Sequence, residues 1–195
     1  MAQRSALKLR LLTLEEIHTV YHVYMIDDFG EMELKPFGRI EADFAAGKYE
    51  GYGLFEGKMI IAYALFVITD TGVALLDYLG VREDLRDQGY GTKTLQMLEP
   101  ELTKYDMMIV EVENPAFAED EEDRTEKERR IAFYTKNGFV PTGVDVQLFT
   151  VEYSILEFVG TTRKPHDPDP VRDAYRELYM RMVGDELYKK FIEIR

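Results

Sequence analysis

Apolar positions in the first part of the chain recur at helical spacing. Thr13 and Glu16 have the spacing of a capping box, which predicts a helix that begins at Leu14. The apolar residues of this helix fall on one face: Ile17, Val20, Tyr21 and Tyr24. A second short helix is predicted over residues 36–46, because a proline suits its first turn and a glycine follows its end.

The middle of the chain alternates between β-rich apolar runs and short turn sequences. Predicted strands cover residues 7–12, 49–55, 58–69 and 73–81. The Glu-Gly and Asp-Thr-Gly turns between the last three strands predict an antiparallel meander. A helix is predicted from about residue 91 to residue 105, kinked or divided at Pro100. A strand over 107–112 follows this crossover helix and should therefore lie parallel to the strand before it.

The last part of the chain predicts a hairpin, a linker and a helical tail. Strands are predicted over residues 139–142 and 147–158. The tail is amphipathic, is interrupted at Gly184, and continues its apolar face with Leu187, Phe191 and Ile192. This face must pack either on the same chain or on a second copy in a homodimer, and the pattern leaves both open. The predicted division is a domain over 1–159, a Pro-rich linker over 160–170 and a helical extension over 171–195.

A glycine-bearing loop joins the strand over 73–81 to the helix that follows it. Residues 79–92 have the sequence Leu-Gly-Val-Arg-Glu-Asp-Leu-Arg-Asp-Gln-Gly-Tyr-Gly-Thr. Glycine tolerates positive φ, so successive backbone N–H groups can converge on one point. The first turn of the helix adds N–H groups without intrahelical acceptors, and the helix dipole favours negative charge there. The loop therefore predicts a phosphate site.

The spacing within this loop excludes two familiar phosphate motifs and resembles a third. It has neither the Gly-Lys-Ser/Thr ending of a Walker loop nor the third glycine of a dinucleotide fingerprint. An Arg-x-x-Gly-x-Gly pattern begins at Arg86 and is preceded by Leu-Gly-Val at 79–81. This combination resembles motif A of the GNAT acetyltransferases, in which the loop N–H groups hold the pyrophosphate of acetyl-CoA.

A second pattern farther along the chain resembles motif B of the same superfamily. Residues 133–139 have the sequence Phe-Tyr-Thr-Lys-Asn-Gly-Phe, a helix end that runs into a strand. Ala132 stands immediately before this run, so the register around the alanine departs from the commonest form. Two motifs in the expected order are more specific than either alone, and the resemblance covers roughly residues 7–157.

The resemblance implies an α/β (α+β) fold of the GNAT type. Such a fold has a mixed, mostly antiparallel central sheet with a splayed parallel strand pair, and helices flank the sheet. The C-terminal helical tail lies beyond this family core. Acetyl-CoA is the implied co-substrate, its pantetheine arm lying along the strand that carries Gly80, a residue expected to leave room for close approach.

The implied cofactor-binding residues are Leu79, Gly80, Val81, Arg86, Asp87, Gln88, Gly89, Tyr90, Gly91, Thr92, Asn114 and Lys136.

Direct transfer of an acetyl group to an amine needs an acid, a base and a donor for the oxyanion. The resemblance implies that Tyr134 is the general acid for the leaving thiolate and that the Leu79 N–H meets the oxyanion. The position at which some relatives carry a glutamate base is near Leu75, which cannot serve. Asp77 and Glu113 are the predicted catalytic carboxylates, with Glu111 as a further alternative.

The composition limits the classes of partner and the cellular location that we expect for the protein. A formal net charge of −13 argues against nucleic acid as a partner and is compatible with a cationic amine acceptor, although solubility alone would explain it. The absence of an apolar run of membrane-spanning length and of cysteine predicts a cytoplasmic protein without membrane contact. His18 and His22 have a spacing that could hold a metal but lack a ligand motif around them, so no metal is predicted.

A densely charged run, residues 119–130, separates the two motifs and has the length of an insertion. The preferred interpretation is a solvated loop that leads into a charged helix start; the alternative is an acidic wall for a cationic acceptor.

The function predicted from these observations is an acetyl-CoA-dependent N-acetyltransferase that acts on a primary amine of a small molecule or peptide. A non-catalytic acyl-CoA-binding sensor on the same fold is the alternative, because the general base is not secured by a motif. A protein-interaction module with a degenerate pocket is a third hypothesis, which predicts no thermal shift with CoA.

Overall fold

The computed structural model describes residues 6–30, 33–161 and 163–195 of the chain. The chain divides into two compact units. The first comprises the described residues of Met1–Ile68 together with Ala74–Pro100, and the second comprises Thr69–Val73 with the described residues of Glu101–Arg195. None of the helices in these ranges is both long and apolar enough to cross a membrane.

The first unit is built on an antiparallel meander. Its strands are β1 (Leu7–Leu11), β2 (Tyr49–Glu56), β3 (Met59–Ile68) and β4 (Val73–Val81, from Ala74 onward in this unit). They follow one another in chain order, each antiparallel to the next. The predicted meander is confirmed, because the turn sequences between the apolar runs determine it.

The helices of the first unit begin where their capping residues stand. The first, α1 (Leu14–Val20), has the predicted capping box: the Glu16 N–H donates to Thr13 Oγ1 at 3.2 Å, and the Thr13 N–H donates to the Glu16 carboxylate at 3.0 Å. A π-helical turn (Tyr21–Met25) and α2 (Ile26–Asp28) continue it. The second predicted helix is α3 (Phe37–Ala45), with Pro36 at its N-cap.

The helix after the glycine loop is α4 (Tyr90–Leu102). It begins one residue before its predicted start, and it is not divided at Pro100 as the sequence allowed. A proline removes one backbone donor, and this proline stands in the last turn, where only two further residues follow it in the helix.

The second unit has strands β5 (Met107–Glu113), β6 (Phe139–Leu148), β7 (Val151–Phe158) and β8 (Ile192–Ile194). Their order is β5-β7-β6-β8, and each neighbouring pair is antiparallel. The predicted strand over 147–158 is wrong at its start, because β6 continues past Thr142 through a register shift and turns at Phe149. Phe149 takes φ 54°, a turn conformation that an aromatic residue does not signal in the sequence.

The charged run between the motifs is mostly helical. The helix α5 (Glu121–Lys136) begins directly after Asp120, whose side chain accepts from the Asp123 N–H at 2.9 Å. The acidic residues Glu121, Glu122 and Asp123 occupy its first turn, where the helix dipole stabilises negative charge. The preferred interpretation of a charged helix start is confirmed, and the loop before it is shorter than predicted.

The C-terminal tail folds onto its own unit. Its helices are α6 (Pro168–Val183), which begins inside the predicted linker, and α7 (Asp185–Phe191), which follows the predicted break at Gly184. The prediction that Ile192 continues the helical face is wrong, because Ile192–Ile194 form β8 and pair with β6.

The buried face of α6 packs on β6 of the same chain. The apolar face that suggested a homodimer is thus covered within the chain itself.

Candidate active site

The predicted phosphate loop lies in the first unit, between β4 and α4. A 3₁₀ turn (Glu83–Leu85) follows the strand, and the helix begins at Tyr90. Asp87 and Gly89 both take positive φ, 59° and 83°, a conformation that L-residues other than glycine rarely adopt. A Cβ at Gly89 would meet nothing within 4 Å, so backbone conformation rather than crowding explains this glycine.

The backbone N–H groups of this loop are largely unused. The Arg86 N–H donates to the Glu83 carbonyl at 3.2 Å, and the Lys93 N–H closes the first helical turn on the Gly89 carbonyl at 3.0 Å. Between them, the N–H groups of residues 87–91 donate to no acceptor in the described part of the chain. A set of adjacent donors without protein acceptors, at a helix start, is what an anionic ligand requires.

A small apolar cluster holds both ends of the loop. Leu54, Ile61 and Ala62 form its buried centre on β2 and β3. The residues that pack against this centre include Val81 before the loop, Leu85 within it, and Tyr90 and Met97 after it. Side-chain packing thus supports the loop on both sides of residues 87–91, whose N–H groups have no acceptor in the described chain.

The Arg86 side chain is bound to the protein itself. Its guanidinium forms an ion pair with Asp28 at the end of α2, and its Nε donates to the Val81 carbonyl at 3.3 Å. The second carboxylate oxygen of Asp28 accepts from the Tyr63 hydroxyl at 2.8 Å. Asp28 and Tyr63 belong to no sequence motif and lie far from Arg86 along the chain. The sequence therefore did not predict this arrangement.

Gly80 lies against an aromatic ring. A Cβ at this position would lie 2.2 Å from Tyr63 Cζ and 2.3 Å from its hydroxyl oxygen. The Tyr63 ring on β3 therefore leaves no room for a side chain at position 80. A contact between the Gly80 backbone and the cofactor stays a prediction.

Asp77, on β4, is almost completely enclosed. Its carboxylate accepts from Lys35 Nζ at 2.5 Å and from the Tyr49 hydroxyl at 2.8 Å, one donor on each oxygen. The side chain is 8% exposed. Lys35 is itself fixed, because its backbone N–H donates to the Tyr78 hydroxyl at 3.0 Å and its carbonyl accepts from Tyr21 at 2.9 Å.

Tyr134 lies in the second unit, on α5. Its ring packs between those of Phe133 and Phe139, with centroids 5.1 and 5.2 Å away. Burial raises the pKa of Tyr134 to about 12, an effect that the charge of Arg130 opposes. Its hydroxyl forms no hydrogen bond with any residue that the structure describes. A buried phenol that stays protonated and keeps its proton available has the properties of a general acid.

Two other candidate carboxylates lie on β5. Glu113 Oε2 forms an ion pair with Lys127 at 3.1 Å, and the same lysine contacts Asp123 at 2.7 Å. Glu111 Oε1 accepts from the hydroxyls of Tyr175 and Tyr179 on α6, both at 2.5 Å. Because it anchors the C-terminal helix, Glu111 is less suited than Glu113 to exchange a proton with a substrate.

Asn114 and Lys136 complete the predicted cofactor-binding set in the second unit. The Asn114 Oδ1 accepts from the Ala116 N–H at 2.9 Å and caps a short 3₁₀ turn (Pro115–Phe117), which holds the amide group in place. Lys136 is an exposed residue in the last turn of α5, and its ammonium forms no ion pair within the described ranges.

His18 and His22 pack on each other and on Phe37, with ring centroids 4.3 to 5.6 Å apart. No group of three or more potential metal-ligating side chains occurs in the described parts of the chain.

A comparison with protein-family models gives a match in the middle of the chain. Residues 48–141 match the model described as an acetyltransferase (GNAT) domain, and this range contains both motifs. The chain is therefore similar to the GNAT acetyltransferases over this range. A comparison with the curated proteins gave no match.

Solved structures of GNAT proteins have the same fold. A protein described as an acetyltransferase of the GNAT family from Bacteroides thetaiotaomicron is 19% identical, with a TM-score of 0.70 over 91% of this chain and 99% of that chain. The ribosomal-protein-S18-alanine N-acetyltransferase from Escherichia coli is 19% identical, with a TM-score of 0.57 over 83% of this chain and 97% of that chain.

An acetyltransferase from Bacillus subtilis, solved in complex with CoA, is 15% identical, with a TM-score of 0.50 over 78% of this chain and 98% of that chain. These likenesses confirm the predicted GNAT fold class. The family model identifies residues 48–141 as similar to an acetyltransferase domain.

We expect Gly80→Ala to lower the free energy of unfolding by about 1–3 kcal/mol, because the new methyl group overlaps the Tyr63 ring. Thermal and denaturant unfolding measure this loss. In a Tyr63→Leu background, which removes the overlapping atoms, the same substitution should cost clearly less. Equal losses in both backgrounds would show that the contact with Tyr63 is not the reason for the glycine.

Proposed function

We propose that this GNAT enzyme transfers an acetyl group from acetyl-CoA directly to a primary amine of a small molecule or peptide. The observation that carries the proposal is the row of N–H groups over residues 87–91, which have no acceptor in the described chain and lie inside the region that matches the family model. A diphosphate supplies several acceptor oxygens in the compact arrangement that such a loop can bind.

The remaining cofactor contacts are proposed from the resemblance of the two motifs. Leu79 and Val81, at the end of β4, are proposed to pair with the amides of the pantetheine arm, and the Leu79 N–H to stabilise the carbonyl oxygen of the thioester. Asn114, through its amide donors, and Lys136, whose ammonium forms no ion pair within the described ranges, are proposed as further coenzyme contacts.

The chemistry requires no covalent enzyme intermediate. A neutral amine attacks the thioester carbon, the new C–N bond forms, and the C–S bond breaks. The amine loses a proton to a base, and the departing sulfur gains one from an acid. We assign the acid to Tyr134, because it stands in the motif B resemblance and its hydroxyl makes no hydrogen bond within the described residues, so its proton is not committed to another group.

Glu113 suits the base better than Asp77 does. The ion pair of Glu113 with Lys127 uses Oε2, and Oε1 has no partner in the described chain. The side chain of Glu113 is 34% exposed, so a proton taken from the amine can pass to water. Asp77 already has a donor on each carboxylate oxygen, so neither oxygen is left without a partner for the substrate amine.

The acceptor is proposed to be an amine, and its cationic form would be attracted by the charge of the protein. The net charge is −13, and residues 119–122 expose acidic side chains before and within the first turn of α5. Two solved structures with this fold carry names that specify amine acceptors, a spermidine N-acetyltransferase chimera and the S18-alanine enzyme. These names support the amine class and do not select a member of it.

The first experiment measures CoA release from acetyl-CoA with a panel of polyamines, amino acids and peptides. Tyr134→Phe should lower kcat by about a hundredfold or more while CoA binding stays close to that of the wild type. The matched control is Tyr188→Phe, in α7, which should leave kcat unchanged. Because the pKa of Tyr134 is about 12, the wild-type rate should not fall on the alkaline side below pH 10 through loss of this proton.

Two results would contradict the proposal. A wild type that binds CoA but acetylates no amine would support the acyl-CoA sensor. Full kcat in Tyr134→Phe would remove the acid role from this residue.

The two candidate bases can be separated by isosteric amides. We expect Glu113→Gln to lower kcat/KM for the amine by about a hundredfold, because only a carboxylate accepts the proton. Asp77→Asn should act mainly on thermal stability, because it weakens the contacts with Lys35 and Tyr49. Lys127→Met controls for loss of the ion pair of Glu113. The reverse pattern, with catalysis lost in Asp77→Asn and kept in Glu113→Gln, would assign the base to Asp77.

A further inference from the structure

The side chain of Arg86, the arginine that opens the loop motif, contacts the protein itself. In the first unit its guanidinium contacts the Asp28 carboxylate and the Val81 carbonyl, so it spans from α2 to the end of β4. The N–H groups that are available for a diphosphate begin at the next residue, Asp87. Arg86 thus connects the start of the loop to the fold.

Asp28 is the partner on which this connection depends. Its side chain is 10% exposed, and its two oxygens accept from different elements, Arg86 of the loop and Tyr63 of β3. Tyr63 also fills the space beside Gly80. One carboxylate therefore joins the loop, β3 and α2, and the strand that carries the proposed thioester contacts lies against the same tyrosine.

The charges favour a positioning role over direct attraction of the ligand. The negative charge of Asp28 offsets the positive charge of Arg86, so the guanidinium adds little net attraction for a diphosphate. A hydrogen bond between two ionised groups is directional and stronger than a neutral one, which makes it suited to fix the start of a loop. The unused N–H groups can then bind the ligand without reorganisation.

We infer that Asp28 is a positioning residue for the coenzyme loop: through Arg86 and Tyr63 it holds the N–H groups of residues 87–91 in the geometry that binds the diphosphate of CoA. The inference rests on the proposed function. It adds a residue outside both motifs, and it assigns the effect of that residue to the diphosphate rather than to the thioester or the amine.

The test compares Asp28→Asn with Asp27→Asn. Asp27 is the adjacent exposed carboxylate, and it forms no hydrogen bond or ion pair in the described residues, so its substitution removes the same charge without the same contacts. The donors are acetyl-CoA and S-acetylpantetheine, which has the thioester arm but no diphosphate. Two quantities are measured. The first is the donor ratio, kcat/KM with acetyl-CoA divided by kcat/KM with S-acetylpantetheine, and the second is the Kd of CoA by calorimetry.

In Asp28→Asn the donor ratio should fall about tenfold and the Kd of CoA should rise to a similar extent, because the loop N–H groups lose their alignment. The KM of the amine and the rate with S-acetylpantetheine should stay close to the wild-type values. Asp27→Asn should leave the donor ratio within about twofold of the wild type. Tyr63→Phe, which keeps the ring beside Gly80 and removes one hydrogen bond to Asp28, should give an intermediate decrease and serves as the milder variant if Asp28→Asn unfolds.

Several outcomes would overturn the inference. An unchanged donor ratio in Asp28→Asn, or an equal loss with both donors, would show a general structural role. A lower Kd of CoA in Asp28→Asn than in Asp27→Asn would show that Asp28 competes with the phosphates for Arg86. A wild type without CoA affinity would instead overturn the proposed function, and this inference with it.

Discussion

The proposed function depends on backbone N–H groups at the junction of β4 and α4 that have no acceptor in the described chain. Such groups are costly when they are buried, so a fold keeps them only at a surface where water or a ligand accepts from them. Here the N–H groups of residues 87–91 are kept in that state by an apolar cluster that includes Val81 before the loop and Tyr90 after it. The loop is stabilised by burial of side chains, which leaves its backbone donors for an anion.

The polar side chains discussed in the two units differ in how fully their hydrogen-bonding capacity is used. In the first, the carboxylates of Asp28 and Asp77 each accept from two donors and are nearly buried, so they fix the backbone around β4. In the second, Glu113 keeps one oxygen without a partner in the described chain, and Tyr134 keeps its hydroxyl in the same state. Groups with spare hydrogen-bonding capacity are the ones proposed for proton transfer, and saturated groups are the ones proposed for positioning.

The sequence predictions were accurate where neighbouring residues in the chain determine the structure, and they failed where tertiary pairing determines it. The capping box at Thr13, the meander and the loop at Arg86 were predictable, because residues close together in the chain determine them. The turn at Phe149 and the strand at Ile192 were missed, because neither carries a turn or strand signal stronger than its neighbours. Tertiary pairing with β6 decides the conformation of the last residues.

Prediction of the candidate site from the sequence was limited in the same way. Both motifs were found, yet the partners that hold them could not be predicted. Asp28, Tyr63 and Lys35 come from other elements of the first unit and belong to no local pattern. The contact of Gly80 with Tyr63 was missed for the same reason, since the sequence does not show that Tyr63 lies opposite it.

The most direct test is an NMR titration of the ¹⁵N-labelled full-length chain with CoA, with pantetheine as the ligand that lacks the diphosphate. The amide resonances of residues 87–91 should shift with CoA until saturation and should stay in place with pantetheine, because hydrogen bonds to phosphate oxygens deshield amide protons. Amide resonances in this loop that do not move at saturating CoA, while others in the chain do, would contradict the assignment of these N–H groups to the diphosphate.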